Sequence, residues 1–168
     1  MPKSKFLVVL GIGNSIRMDD GAGIRVVEQL SRENCLKNLE IDFKFLNTGG
    51  FDILDEINGY HRAIIIDAAD MPEKGLKPGD IVHLTNLKEM EVSQTSGVSS
   101  HGIGLLHVLK YASAGNYKIP DIIEIHGIQV KETGYFNENL TPEVKAGVDS
   151  LVEEMKIHIL GLFSRLHD

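Results

Sequence analysis

Hydrophobic positions along this chain follow two rhythms in turn, and the change from one to the other predicts strands alternating with helices. Phe6-Leu7-Val8-Val9-Leu10 is a continuous apolar run containing β-branched residues, the pattern of a short strand covered on both faces. Ile24, Val27 and Leu30 then recur at helical spacing with Arg25, Glu28 and Gln29 between them, which predicts a helix over residues 21–32. Residues 39–46 alternate strictly between apolar and polar, as in a strand with one wetter face near a sheet edge. Thr48-Gly49-Gly50 breaks that strand. Phe51, Ile53, Leu54 and Ile57, with Asp52, Asp55 and Glu56 turned outward, predict a short helix. Ala63-Ile64-Ile65-Ile66-Asp67-Ala68 is the most buried-looking strand, and it runs into an acid.

The second half repeats the alternation less regularly. Pro72, Gly75, Pro78 and Gly79 mark a loop before a short strand over residues 81–84. Residues 85–100 lack periodicity and are rich in serine and threonine, as expected of a long loop near a cleft. Ile103, Leu105, Leu106, Val108 and Leu109 predict a helix through about Ala114, with His101 at its start. A strand over residues 122–128 and a polar loop over 131–140 follow. Thr141-Pro142-Glu143 then has the form of a helix start, with a hydroxyl cap, a proline in the first turn and an early acid. The apolar stripe from Val144 through Leu151, Met155 and Ile159 to Phe163 carries this helix almost to the C-terminus. The alternation predicts a three-layer α/β/α sandwich with a mostly parallel sheet.

Composition narrows the class. The 168 residues suit one domain spanning 1–168, and 42% hydrophobic with 24% charged residues is ordinary for a globular protein. A formal net charge of -7 argues against binding a nucleic-acid backbone and leaves a cation or a locally basic partner more plausible. Cys35 is the only cysteine, which excludes an internal disulfide and a thiolate metal cluster. Lysines 3 and 5 precede an apolar run that meets Gly11 too soon for a signal or membrane-spanning segment, so no membrane association is expected and a cytoplasmic location is.

Candidate chemistry gathers after the first strand. Gly11 and Gly13 let the chain turn, but a dinucleotide-binding G-x-G-x-x-G would need glycine where Ile16 stands, and its helix would begin sooner. A pyrophosphate would also meet Asp19 and Asp20 as like charges, whereas a metal cation fits the loop. Asp19 is expected to be a turn or helix-capping acid, and Asn14 a loop-shaping residue. Asp67 is the second candidate, because ligands collect beyond the carboxyl ends of central strands in open α/β sheets. His126 is expected to be a partly buried structural histidine, and histidines 61, 83, 107, 158 and 167 lack a comparable setting.

Gly11-Ile12-Gly13-Asn14 followed by Asp19-Asp20-Gly21-Ala22-Gly23 resembles the hydrogenase maturation protease family. Thr48-Gly49-Gly50, Ile64-Ile65-Ile66-Asp67-Ala68, Pro78-Gly79, Ser100-His101-Gly102-Ile103-Gly104-Leu105 and Gly127-Ile128-Gln129 follow in the family's order, so the likeness spans nearly the whole chain. It implies a twisted five-stranded sheet of the phosphorylase/hydrolase-like type with one antiparallel strand. It further implies an endopeptidase that removes the C-terminal extension from the large-subunit precursor of a nickel-iron hydrogenase. Asp20, Asp67 and His101 fall on the family's metal ligands, and Gly50 on its flexible glycine element near the substrate. The metal implied is nickel already installed in the precursor. Two carboxylates and an imidazole would also accept zinc or cadmium. The general base stays unassigned between Asp20 and Asp67, and no H-E-x-x-H helix is present. One departure is Val130, where the family often has proline. The residues leave two other functions open, a nucleotide or small-molecule-binding α/β domain and a non-catalytic chaperone for the nickel-loaded precursor; oligomeric state is not legible.

Overall fold

The computed structural model describes residues 5–47, 50–71, 74–84, 108, 111–112 and 117–166. Five strands form one sheet: β1 (Lys5–Ile12), β2 (Ile41–Leu46), β3 (Tyr60–Ala69), β4 (Ile81–Leu84) and β5 (Ile122–Gln129), in the order β2-β1-β3-β5-β4. The β1–β2, β1–β3 and β3–β5 pairs are parallel, while β4 runs antiparallel to β5. The named helices are α1 (Ala22–Arg32), α2 (Asp52–Ile57) and α3 (Pro142–Ser164).

Alternation along the central strands sends side chains into two cores. Leu7 and Val9 of β1, with Ile64 and Ile66 of β3, join Val26, Val27 and Leu30 of α1 and Val148, Leu151 and Met155 of α3. Val8 and Leu10, with Ala63 and Ile65, join Ile53, Leu54 and Ile57 of α2 together with Val108 and Ala112. Two covered faces account for the uninterrupted apolar runs of β1 and β3, and at roughly 1.5–3 kcal/mol for each large side chain these layers dominate folding. No helix among the described residues is long and apolar enough to cross a membrane.

Several expectations shift in detail. β3 does not stop at Asp67: Ala68 and Ala69 still pair with Ile128 and Gln129, so the acid sits inside the strand, two residues before its end. Gly11 is not a turn residue but lies within β1, where a Cβ would come 2.8 Å from the carbonyl oxygen of Gly23 and so hold α1 away. Thr141 precedes α3 but makes no side-chain cap, because its hydroxyl donates to Asp19 instead. Val130 has a reason to differ from proline: its N–H donates to Ala69 O at 2.9 Å, a bond a proline cannot make.

The sheet face beneath α3 holds a polar network among residues that looked unremarkable in sequence. His83 on β4 and His158 on α3 both belong to it, contrary to expectation. The Nδ1 atoms of His83 and His126 lie 2.7 Å apart, and His83 Nε2 is 3.3 Å from Glu154 Oε1. Glu124 pairs with Arg62 and, at 2.7 Å, with His158, and His126 Nε2 is 3.8 Å from Glu124 Oε2. His126 is only 4% exposed, in agreement with a structural role. Burial by itself would raise the Glu124 carboxyl, but His126, His158 and Arg62 outweigh it and hold the group down at about 2. A folded-state value below the unfolded one, 4.5, means that this contribution is complete above about pH 4.5 and is lost as pH falls toward 2. Denaturant unfolding should therefore show a loss of about 2–3 kcal/mol across that window, and Glu124→Gln should flatten it.

Candidate functional site

The strand order places a topological switch point between β1 and β3, since the chain leaves β1 toward β2 and returns on the other side to form β3. Both candidate acids sit there. Asp20 belongs to a 3-10 turn, Met18–Gly21, that follows β1, packs against β3 and leads directly into α1. Asp67 lies near the carboxyl end of β3.

Small residues let these parts approach. Gly13 has φ +141°, and a Cβ there would fall 2.0 Å from the carbonyl oxygen of Asp20. The loop can therefore fold back so that Asn14 N–H reaches Asp20, 3.2 Å from Oδ2 and 3.3 Å from the carbonyl oxygen. Gly23 lets the start of α1 settle between the strand ends: a Cβ there would lie 2.3 Å from Ile66 O and 2.6 Å from Ile12 O. Ile66 is the neighbour of Asp67, so the helix that begins just after Asp20 rests on the backbone that carries the second acid. Met18, at φ 49°, is the one non-glycine residue with left-handed backbone among those described, and its N–H donates to Asn137 O at 2.7 Å. Asn14 shapes the loop as expected, accepting from Ile16 N–H at 3.1 Å.

Asp20 and Asp67 are each 8% exposed. Asp67 Oδ1 accepts from the N–H of Ala68 at 2.8 Å. By the alternation of β3 its side chain shares the face of Ala63 and Ile65, the face covered by α2, Val108 and Ala112. Two buried carboxylates at one sheet rim are hard oxygen donors of the type a divalent ion accepts. His101 lies outside the described residues, as do Thr48 and Gly49, and among the described residues no three acid, histidine or cysteine side chains form a group that could hold a metal. Gly50 has φ +102°, and a Cβ there would meet no atom of the described residues within 4 Å.

Asp19 is the residue whose part was least visible in the sequence. It is fully buried and does not cap α1. Its Oδ2 accepts from the N–H groups of Lys131 (3.0 Å) and Glu132 (2.9 Å) and from Thr141 Oγ1 (2.9 Å), while Oδ1 accepts from Thr141 N–H (2.7 Å). Asp19 thereby fastens the loop before α3 onto the turn that presents Asp20.

Helices on both faces of a five-stranded mixed sheet, with buried acids where the order of its strands reverses, put the chain in the class of open-sheet α/β proteins that act at their carboxyl rim. A hydrogenase maturation protease family model, HycI, matches residues 24–157. The hydrogenase 2 maturation protease of Escherichia coli is 28% identical over 149 residues, covering 89% of this chain and 87% of the relative. Among solved structures, the [NiFe] hydrogenase maturation protease HybD from Thermococcus kodakarensis superposes with a TM-score of 0.71 at 29% identity, covering 90% of this chain and 97% of its own. The hydrogenase maturating endopeptidase HybD from E. coli gives a TM-score of 0.69 at 25% identity, covering 89% of each chain. The chain belongs to the hydrogenase maturation protease family.

Proposed function

We propose that this protein is an endopeptidase that removes the C-terminal extension from a nickel-loaded large-subunit precursor of a [NiFe] hydrogenase, and that Asp20, Asp67 and His101 recognise the nickel. The observation that supports this most is the pair of buried carboxylates at the switch point between β1 and β3. A water-poor rim lined with acids would hold a cation while leaving one side for a polypeptide.

In this reading the ion arrives as part of the substrate. Bound there, it would polarise the scissile carbonyl or make a water more acidic. The chain's own contribution is positional. Asn14 N–H and the 3-10 turn orient Asp20, and Ala68 N–H orients Asp67. In this reading Asp20 or Asp67 would also serve as the base that takes a proton from water as it attacks the peptide carbonyl. His101 would supply the third donor from the connection between β4 and Val108, a residue buried on the same face of the sheet as Asp67.

The test is to mix the protein with candidate precursors, with and without nickel, and follow tail loss by mass spectrometry. Tail release is expected only from nickel-loaded precursor, and Asp20→Ala should reduce it at least about 100-fold. Equal release from metal-free precursor would overturn the recognition of nickel. Precursor binding without any loss of mass would replace the endopeptidase with a chaperone.

A further inference from the structure

Ile16 is 48% exposed, Tyr135 68% and Phe136 83%. A single apolar residue in water is ordinary, but three on adjoining segments form a patch of the kind that marks an interaction site. The segments are joined by a parallel bridge between Arg17 and Asn137, with Asn137 N–H donating to Ile16 O at 2.9 Å. Ile16 and Phe136 each directly precede a bridged residue.

The patch is exposed although its loop is held firmly. Besides the four bonds to Asp19, Arg17 Nη2 donates to Thr133 O (3.1 Å), Gly134 N–H to Glu132 Oε1 (2.7 Å) and Asn139 N–H to Asn137 Oδ1 (2.9 Å). Of the charges beside it, Lys131 is paired to Glu143 at 2.6 Å, and the Arg17 guanidinium donates to the carbonyl oxygen of Thr133. What this rim offers a partner is three apolar side chains, flanked by the exposed Arg17 and Glu138, on a loop fixed by hydrogen bonds, the condition under which aromatic side chains become binding hot spots.

We propose that Ile16, Tyr135 and Phe136 form a docking platform for an apolar segment of the precursor polypeptide close to its scissile bond. The proposal rests on the endopeptidase reading. The occupant follows from continuity: Ile16 and Asp20 lie in the same loop, and the aromatic loop is bonded to that loop through Asp19. A chain end bound at Asp20 would meet this platform on the adjoining part of the same loop.

The experiment measures initial rates of tail release over a range of nickel-loaded precursor concentrations. Phe136→Ser and Ile16→Ser should each raise KM more than threefold, Phe136→Ser about tenfold. Ile157→Ser, at a position 74% exposed on α3, serves as the remote control and should keep the wild-type KM. KM values within threefold of wild type for both platform variants, with the wild type still cutting, overturn the platform alone. A wild type that cuts no precursor overturns the endopeptidase reading and the platform with it. If sedimentation instead shows wild-type dimers that Phe136→Ser dissociates while KM stays unchanged, the patch belongs to a second copy of this chain and the proposal falls.

Discussion

Replacing Asp19 by alanine is expected to lower stability by about 3–5 kcal/mol, although Asp19 is not among the proposed metal ligands. The substitution removes the acceptors for three backbone N–H groups and one hydroxyl at a site with no solvent exposure. Each buried donor left without a partner costs about 1–3 kcal/mol, and partial entry of water keeps the total below the simple sum. For a protein of this size the melting temperature should fall by about 10–15 °C in a calorimetric scan. Asp19→Asn can keep its amide oxygen where Lys131 N–H, Glu132 N–H and the Thr141 hydroxyl converge but turns its N–H₂ toward Thr141 N–H, so it should recover part of the loss. A fall of less than about 2 °C for the alanine variant would show that the loop is held by other contacts.

The second large effect is expected at Gly13. A methyl group there meets the carbonyl oxygen of Asp20 at 2.0 Å, and φ +141° is itself unfavourable for any other residue. Because the clashing atom is backbone, relief requires the whole turn to move, which displaces Asp20 and strains the start of α1. Gly13→Ala should therefore cost more than about 3 kcal/mol and reduce tail release at least about 100-fold in whatever fraction remains folded. Gly50→Ala makes the useful contrast: its φ is also positive, but no atom of the described residues lies within 4 Å of the added methyl group, so about 1 kcal/mol is expected. Similar losses at the two positions, measured by denaturant unfolding, would rule out the steric account.

Much of the fold was legible because it is written in local rhythm. β1 and the middle of β3 are covered on both faces and read as unbroken apolar runs, while β2 at the edge keeps its alternation, with partly buried residues such as Asp42 and Phe43 along it. The placement of Asp20 and Asp67 at the same rim could be anticipated from where they fall relative to their strands. Contacts made over long sequence distances could not. Nothing near Asp19 announces Lys131 or Thr141, and a turn acid with local partners has the same sequence appearance. His83 and His158 come from different elements and join one network only because His83 on β4 reaches His126 and His158 on α3 reaches Glu124. The loop over residues 131–140 looked polar as a whole, which concealed Tyr135 and Phe136; two consecutive aromatics in a hydrophilic stretch were the available signal. His101 and the helix expected after it fall mostly outside the described residues.

The partners of Asp19 lie 112, 113 and 122 positions further along the chain. During synthesis the turn that carries Asp19 thus emerges more than a hundred residues ahead of the groups that hold it. The turn that presents Asp20 takes its shape only after residues 131–141 have been made.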